Sequence, residues 1–237
     1  MQAYFRTYHL VRSTIRVAIK IWQSISYICF MRLWLTTSPD DFASEFDDIE
    51  QMFSRGLSRL ILQKRGRGGS PYATESDYER WLLSLPMDCR DRIWVRGTPD
   101  LAERLDVRGC VAEAGSLLGD VPESWKRVNT VAFCRSLDQL EQLPEWVSGA
   151  LVGPVFQPQS VYEPVKFHGI ESVLGKLNAL AGSKIPQVIA FGGVDHETLD
   201  EIKKLPVQGV SVLGGIWNYA DPVNAFIKLS RAVNVNV

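Results

Sequence analysis

Short apolar runs alternate with longer segments of mixed polarity along the chain from residue 31 onward. Eight runs carry a strand pattern, over residues 32–37, 60–63, 92–95, 108–112, 130–133, 149–152, 187–191 and 210–213. The segments between them favour helices, over residues 40–55, 74–85, 99–105, 114–118, 137–143, 171–180, 197–204 and 222–233. Strict alternation of strand and helix predicts parallel strands, so we expect an α/β fold, a single (β/α)8 or TIM barrel. A doubly wound open sheet is the alternative, but its glycine-rich loop after the first strand is replaced here by TTSPDDF.

Capping residues mark several of the predicted helix boundaries. Asp40 or Asp41 is expected to cap the first helix, and Gly56 to end it. Thr74 followed by Asp77 is a variant of the capping box and predicts the start of the second helix.

Residues 1–30 differ in composition from the rest of the chain. They contain Arg6, Arg12, Arg16 and Lys20 but no acidic residue, and the apolar run 21–31 is too short to span a bilayer. A transit peptide or a helix on a membrane surface fits this pattern, and so does a true start at Met31. We favour the last interpretation, which gives a basic, partly apolar extension over 1–30 and a barrel over 31–237.

Composition excludes several classes of protein. Hydrophobic residues make up 46% and charged residues 22% of the 237 residues, as in a globular domain. A formal net charge of -1 gives no basic footprint for nucleic acid. The four cysteines and three histidines show no CxxC or HExxH spacing, which predicts reduced thiols in a cytoplasmic protein and no zinc site. No membrane partner is expected for the barrel.

Paired glycines follow the last two predicted strands. Gly192 and Gly193 come after QVIAF, and Gly214 and Gly215 come after VSVL. In (β/α)8 barrels the loops after strands seven and eight often bind phosphate, because glycine lets backbone N–H groups approach the anion. The same glycines can instead serve only tight turns. The pattern therefore predicts a phosphate site, with turn geometry as the alternative.

Four sequence segments resemble the thiamine-phosphate synthase/TenI family. The longest is VIAFGGVDHETLDEIKKLPVQGVSVLGGIWNYADPVNAF, and the others are LVGPVFQPQS, CRSLDQL and LILQKR. The similarity extends from Met31 to Val233. It implies a small phosphorylated ligand of the thiazole phosphate or pyrimidine pyrophosphate class, with Mg²⁺ as the implied cofactor. The implied reaction is a transfer in which thiazole phosphate displaces pyrophosphate.

The resemblance also implies which residues form the site. Those implied to bind substrate or phosphate are Gln63, Arg65, Arg96, Gly153, Phe156, Gly192, Gly193, Gly214 and Gly215. Those implied to act in catalysis are Lys64, Arg135 and Ser136.

The chain departs from the family pattern on the side of metal binding and proton transfer. Arg135 replaces the fifth-strand histidine, Arg96 and Gly97 replace an Asn-Asp pair, and Ser116 replaces a metal-binding aspartate. Val161 replaces a lysine, for which Lys166 is the nearby substitute. We therefore assign no metal ligands and expect weak, Mg²⁺-independent transferase activity.

Three hypotheses for the function stay open. They are an enzyme of thiamine metabolism, a catalytically inactive or regulatory barrel that binds a phosphorylated metabolite, and a membrane-surface protein anchored by residues 1–30. A homodimer is left open beside a monomer.

Overall fold

A computed structural model describes residues 31–66, 73–159 and 165–234 of the chain. The predictions made for residues 1–30 and for Val161 lie outside these ranges.

Eight parallel strands close into a barrel, each paired with its neighbours in chain order. They are β1 (Arg32–Thr36), β2 (Leu60–Leu62), β3 (Ile93–Arg96), β4 (Gly109–Glu113), β5 (Asn129–Cys134), β6 (Gly149–Val152), β7 (Gln187–Phe191) and β8 (Gly209–Val212). The barrel closes where Leu33 and Leu35 of β1 lie opposite Val210 and Val212 of β8. The predicted (β/α)8 barrel is therefore confirmed, and the open sheet is excluded.

Helices connect the strands. They are α1 (Glu45–Ser54), α2 (Glu75–Leu83), α3 (Pro99–Arg104), α4 (Ile170–Ala179), α5 (Leu199–Ile202), α6 (Gly214–Trp217) and α7 (Pro222–Asn234). The segments after β4 and β5, Ala114–Leu117 and Leu137–Gln142, form 3₁₀ rather than α-helix. Both are four to six residues long, a length at which the tighter 3₁₀ turn is common.

The start of α1 is later than the sequence predicts. Ser44, not Asp40 or Asp41, occupies the cap position, and its side chain makes no capping hydrogen bond. Asp41 instead forms an ion pair with Lys64 at 2.8 Å. The end of α1 at Gly56, with φ of +100°, and the Thr74 capping box of α2 are as predicted.

The core has two parts, separated by the wall of the barrel. Inside the barrel, seven side chains form one cluster: Trp34, Ile61, Trp94, Val111, Val131, Leu151 and Ile189. A larger cluster fills the space between the strands and the surrounding helices. Phe133 and Phe191 pack on the inner cluster and lie toward the carboxyl ends of β5 and β7. Their rings form an aromatic surface beneath the loops that follow the strands.

None of the described helices is both long and apolar enough to cross a membrane.

Candidate functional site

A cavity of about 290 Å³ opens at the carboxyl ends of the strands, and we call it the mouth pocket. Its lining comes from β1, β2, β5, β6, β7 and β8 and the loops after them: Thr36, Ile61, Gln63, Phe133, Leu151, Pro158, Gln159, Phe191, Gly192, Gly193, Val194, Ser211, Leu213, Gly214 and Gly215. All four glycines that the sequence assigned to phosphate binding, together with Gln63, meet in this one pocket.

Three glycine N–H groups in the lining are available to a ligand. The N–H groups of Gly193, Gly214 and Gly215 donate to no other group among the described residues. Gly214 and Gly215 begin α6, and the first N–H groups of a helix have no acceptor within it. Two neighbouring loops therefore present unpaired donors to the same space, which is an arrangement that suits an anion.

The glycines are also required by the packing of three loops against one another. A Cβ on Gly215 would overlap the carbonyl oxygen of Val194, and a Cβ on Gly193 would lie 2.6 Å from Cβ of Phe156. Gly192 and Gly193 have φ of +89° and +66°, a region that strains other residues. Unpaired N–H groups and tight packing are thus combined in the same glycines, and a bulky substitution there would disturb both.

The interior wall of the mouth pocket is aromatic and aliphatic. The rings of Phe133 and Phe191 have centroids 4.8 Å apart and an interplanar angle of 32°. Ile61 and Leu151 extend this apolar surface. A buried hydrogen bond of 3.0 Å between the hydroxyls of Thr36 and Ser211 adds a polar group to this wall. The pocket therefore combines an apolar surface for a ring with N–H donors for an anion.

The rim is fixed by a buried carboxylate in the loop after β7. Asp195 accepts hydrogen bonds from the N–H groups of Glu197 and Thr198 at 2.9 Å each, and from the side-chain amide of Gln159. Asn218 in turn donates to the carbonyl of Gln159 at 3.2 Å. These bonds hold the chain after β6 against the glycine loops.

One edge of the mouth is formed by a second cluster, which contains two arginines and one acid. The Arg96 guanidinium lies 4.1 Å from the ring centroid of Phe133 and forms an ion pair with Glu113. Arg135 pairs with the same carboxylate oxygen at 3.1 Å and lies 5.2 Å from the same ring. Burial lowers the pKa of Arg96, and Glu113 opposes that shift. Both predicted arginines thus lie against the ring of Phe133 at the edge of the mouth, but they are not among the residues that line the pocket.

Lys64 is turned away from the mouth pocket. Its side chain is fully buried, and its Nζ lies 2.5 Å from Glu45 and 2.8 Å from Asp41. Burial raises the pKa of Glu45, and the neighbouring Lys64 works against this. An ammonium group held by two carboxylates is not free to neutralise a leaving pyrophosphate, so this geometry does not favour the catalytic role assigned to Lys64.

Four other predicted residues also lie outside the pocket lining. Arg65 is exposed and pairs with Asp40 at 3.1 Å. The Ser136 hydroxyl accepts from the N–H of Asp138 and caps a 3₁₀ segment. Gly153 packs against the carbonyl of Phe191, and Phe156 lies behind Gly193. These residues support the loops around the pocket.

Mg²⁺, which the family resemblance implies, does not fit the donor set at this edge of the mouth. Mg²⁺ is usually held by one or two carboxylates together with substrate phosphates. Glu113 is already paired with two guanidinium groups, and Asp100 accepts a hydrogen bond of 2.8 Å from the indole of Trp125. Within residues 31–66, 73–159 and 165–234, no group of three His, Cys, Asp or Glu side chains is placed to hold a metal.

Several lining residues were missed by reasoning from the sequence. Phe133, Phe191 and Ser211 were assigned to strands but not to the site. A signal for them exists, because alternate strand residues face the interior of a barrel and the last inward one faces its mouth. The Glu113 pairing has no such signal, since its partners lie 17 and 22 residues away in the chain.

Comparison with solved structures identifies the same fold in several enzymes. Thiamine phosphate pyrophosphorylase from Bacteroides thetaiotaomicron matches with a TM-score of 0.65 and 23% identity, over 87% of this chain and 100% of that one. Thiamine phosphate pyrophosphorylase from Pyrococcus furiosus matches with a TM-score of 0.65 and 18% identity, over 86% and 96%. The tryptophan synthase α subunit from Legionella pneumophila matches with a TM-score of 0.60 and 11% identity, over 86% and 92%. At these identities the likeness establishes the fold.

No protein-family model matches the chain, and no curated protein matches it in sequence.

Proposed function

We propose that this chain binds a phosphorylated heterocyclic metabolite of the thiazole phosphate class in the mouth pocket. The observation that carries the proposal is the set of unpaired N–H groups of Gly193, Gly214 and Gly215 around one cavity. Backbone donors on two loops can bind three phosphate oxygens without a charged side chain. This is the phosphate half of the thiamine-phosphate synthase/TenI pattern.

The apolar wall supports a flat ring as the other part of the ligand. Phe133 and Phe191 offer aromatic surface, while Ile61 and Leu151 limit the depth of the pocket. A cavity of about 290 Å³ lies at the small end of the range for ligand sites, which suits one ring and one phosphate. Two of the solved structures with this fold are named as thiamine phosphate pyrophosphorylases, which agrees with this ligand class.

The reaction that we propose for this pocket is a weak transferase activity. Arg96 and Arg135 lie at the edge of the pocket against Phe133, and they would neutralise a leaving pyrophosphate if they released Glu113. We expect slow transfer between thiazole phosphate and pyrimidine pyrophosphate that a chelator leaves unchanged. Turnover that is fast and collapses on chelation would contradict it.

A catalytically inactive, ligand-binding barrel is the second candidate. It is favoured by the internal ion pairs of the charged groups near the pocket. Arg96 and Arg135 both pair with Glu113, and Lys64 pairs with Glu45. Binding of thiazole phosphate with no product after prolonged incubation would select this candidate over the transferase.

Binding can be tested with ligand pairs that differ only in the phosphate. Calorimetric titration with thiazole phosphate and with the unphosphorylated thiazole alcohol should give much tighter binding for the first. A phosphate held by several charge-assisted hydrogen bonds makes a difference of about a hundredfold or more reasonable. Equal affinity for the two compounds would contradict a phosphate site.

Leu213 offers a matched pair of variants for the same site. It lines the pocket at the cap position of α6, immediately before the two glycines. Leu213→Asp should weaken thiazole phosphate binding by at least about tenfold through charge repulsion, whereas the similarly shaped Leu213→Asn should weaken it much less. An identical effect of both variants would attribute the loss to shape and not to the phosphate.

A further inference from the structure

Three arginines gather at the end of the barrel opposite the mouth pocket. Arg32 is the first residue of β1, Arg59 immediately precedes β2, and Arg108 immediately precedes β4. The amino ends of parallel barrel strands meet at one end, so the three side chains originate there together. We call this cluster of Arg32, Arg59 and Arg108 the basic end.

Arg59 is the central member of the basic end. Its guanidinium carbon lies 4.9 Å from the ring centroid of Trp34 and 5.2 Å from that of Trp94. Those two rings, 4.7 Å apart, belong to the cluster inside the barrel. The guanidinium therefore covers the interior of the barrel, and its buried Nε has no hydrogen-bond partner among the described residues.

The positive charge of the basic end is not balanced by the described part of the chain. None of the three arginines forms an ion pair with a described carboxylate, whereas nearby Arg92 and Arg104 pair with Asp91 and Glu75. Burial lowers the pKa of Arg59, and the charges of Arg32 and Arg108 lower it further. Residues 1–30, which precede β1 in the sequence, contain no Asp or Glu. Arginine does not escape such repulsion by losing its proton, so a bound anion is what would relieve it.

We propose that the basic end binds a small multivalent anion of the phosphate class, at a site separate from the mouth pocket. Phosphate oxygens can accept hydrogen bonds from several guanidinium groups at once. Trp34 and Trp94 are only 5% and 2% exposed, so they offer no surface on which a nucleobase could stack. The ligand is therefore a compact phosphate, either free or as an ester of a small polar molecule.

Arginine modification by phenylglyoxal, read residue by residue by mass spectrometry, tests the proposal on the full chain. At a phosphate concentration of about ten times the dissociation constant, labelling of Arg32 and Arg108 should fall roughly tenfold, because only the free fraction reacts. Chloride at equal ionic strength should give no protection, and the exposed Arg231 on α7 should label equally throughout. A sugar phosphate assayed in parallel distinguishes free phosphate from a phosphate ester. Unchanged labelling of Arg32 and Arg108 with both anions would overturn the proposal.

Variants separate the basic end from the mouth pocket and from net charge. Arg108 is exposed, and its side chain makes no hydrogen bond or ion pair among the described residues, so Arg108→Gln should fold and weaken phosphate protection of Arg32 by about tenfold. Lys228→Gln, which removes one exposed charge from α7, should leave that protection unchanged. Leu213→Asp should also leave it unchanged, so failure of the mouth-pocket proposal is recognised separately. An equal loss in Lys228→Gln would show a net-charge effect and contradict a site.

Discussion

At the scale of single residues, Phe133 is where the apolar and charged parts of the mouth meet. One neighbour is Phe191, with ring centroids 4.8 Å apart, and another is the Arg96 guanidinium, 4.1 Å from its ring centroid. A guanidinium is attracted to the face of an aromatic ring, and Glu113 neutralises much of its remaining charge. The proposed ligand would thus meet a cation whose charge is already compensated.

Removing that compensation should increase affinity for anions. We expect Glu113→Gln to bind pyrophosphate about three- to tenfold more tightly, because Arg96 and Arg135 lose their internal carboxylate. Isothermal titration at low and at moderate salt should show the gain shrinking as salt screens it. Glu123→Gln, which removes an exposed carboxylate paired with Lys126, is the control and should show no gain. Unchanged or weaker binding in Glu113→Gln would contradict the idea that Glu113 compensates the charges of Arg96 and Arg135.

Reasoning from the sequence placed residues at the pocket where backbone position alone decides, and their role in binding stays a prediction. The four glycines reach the pocket because they directly follow two adjacent strands. Lys64 and Glu113 could not be interpreted in this way, because a side chain's partners depend on packing between distant segments. The adjacent residues Gln63 and Lys64 illustrate the limit: the first lines the pocket and the second is buried against Glu45.

At the scale of elements, a buried ion pair ties the end of β2 to the start of α1. Lys64 and Glu45 both have fully buried side chains, and Glu45 also accepts a hydrogen bond of 2.8 Å from the N–H of Ser38. The Lys64 ammonium lies 5.7 Å and 5.9 Å from the rings of Phe46 and Trp81. Because Glu45 is the first residue of α1, this pair joins the start of the helix directly to the residues after β2.

Breaking the pair should cost more than removing it entirely. Lys64→Met leaves Glu45 buried without its cation and should destabilise the protein by about 3–5 kcal/mol in urea unfolding. The double variant Lys64→Met, Glu45→Leu leaves no isolated charge and should recover a large part of that loss. Lys203→Met, which removes a lysine paired with the exposed carboxylate of Asp200, is a comparison for loss of a lysine. A loss of unfolding free energy in the double variant equal to the sum of the losses in the two single variants would contradict the coupling.

Elements were predicted well where an apolar run is fully buried. β6 and β7 have the predicted bounds, and the other strands differ by one residue at one or both ends. Helical periodicity predicted the segments after β4 and β5 less well, because it does not separate α-helix from 3₁₀-helix in pieces of four to six residues.

At the scale of the whole molecule, burial in the barrel raises the pKa of several groups that lose a proton in alkali. Tyr78, Cys110 and Cys134 each reach about 12, with burial as the largest cause. Tyr78 donates a hydrogen bond of 2.6 Å to the carbonyl of Arg96 and so keeps its proton in the folded state. Folding is therefore linked to protonation of groups on several elements.

The free energy of unfolding should fall as the pH becomes alkaline. Each group ionises more readily when unfolded, so its stabilising contribution is complete below its unfolded pKa and is lost as the pH rises toward 12. Urea unfolding should show a decline that begins near about pH 9 with the thiols and steepens near about pH 10 with the tyrosine. Tyr78→Phe should have a shallower decline above about pH 10. An identical slope in that variant would contradict the assignment to Tyr78.

Backbone N–H groups of the last two loops are proposed to bind phosphate at the mouth of the barrel. Selective ¹⁵N-glycine labelling reports on this directly, because Gly193, Gly214 and Gly215 are among the chain's 18 glycines and their N–H groups have no acceptor among the described residues. On titration with thiazole phosphate, the amide protons of Gly193, Gly214 and Gly215 should shift downfield together with one dissociation constant, while Gly56 and Gly182 stay in place. Shifts confined to other glycines, or none at saturating ligand, would contradict the claim.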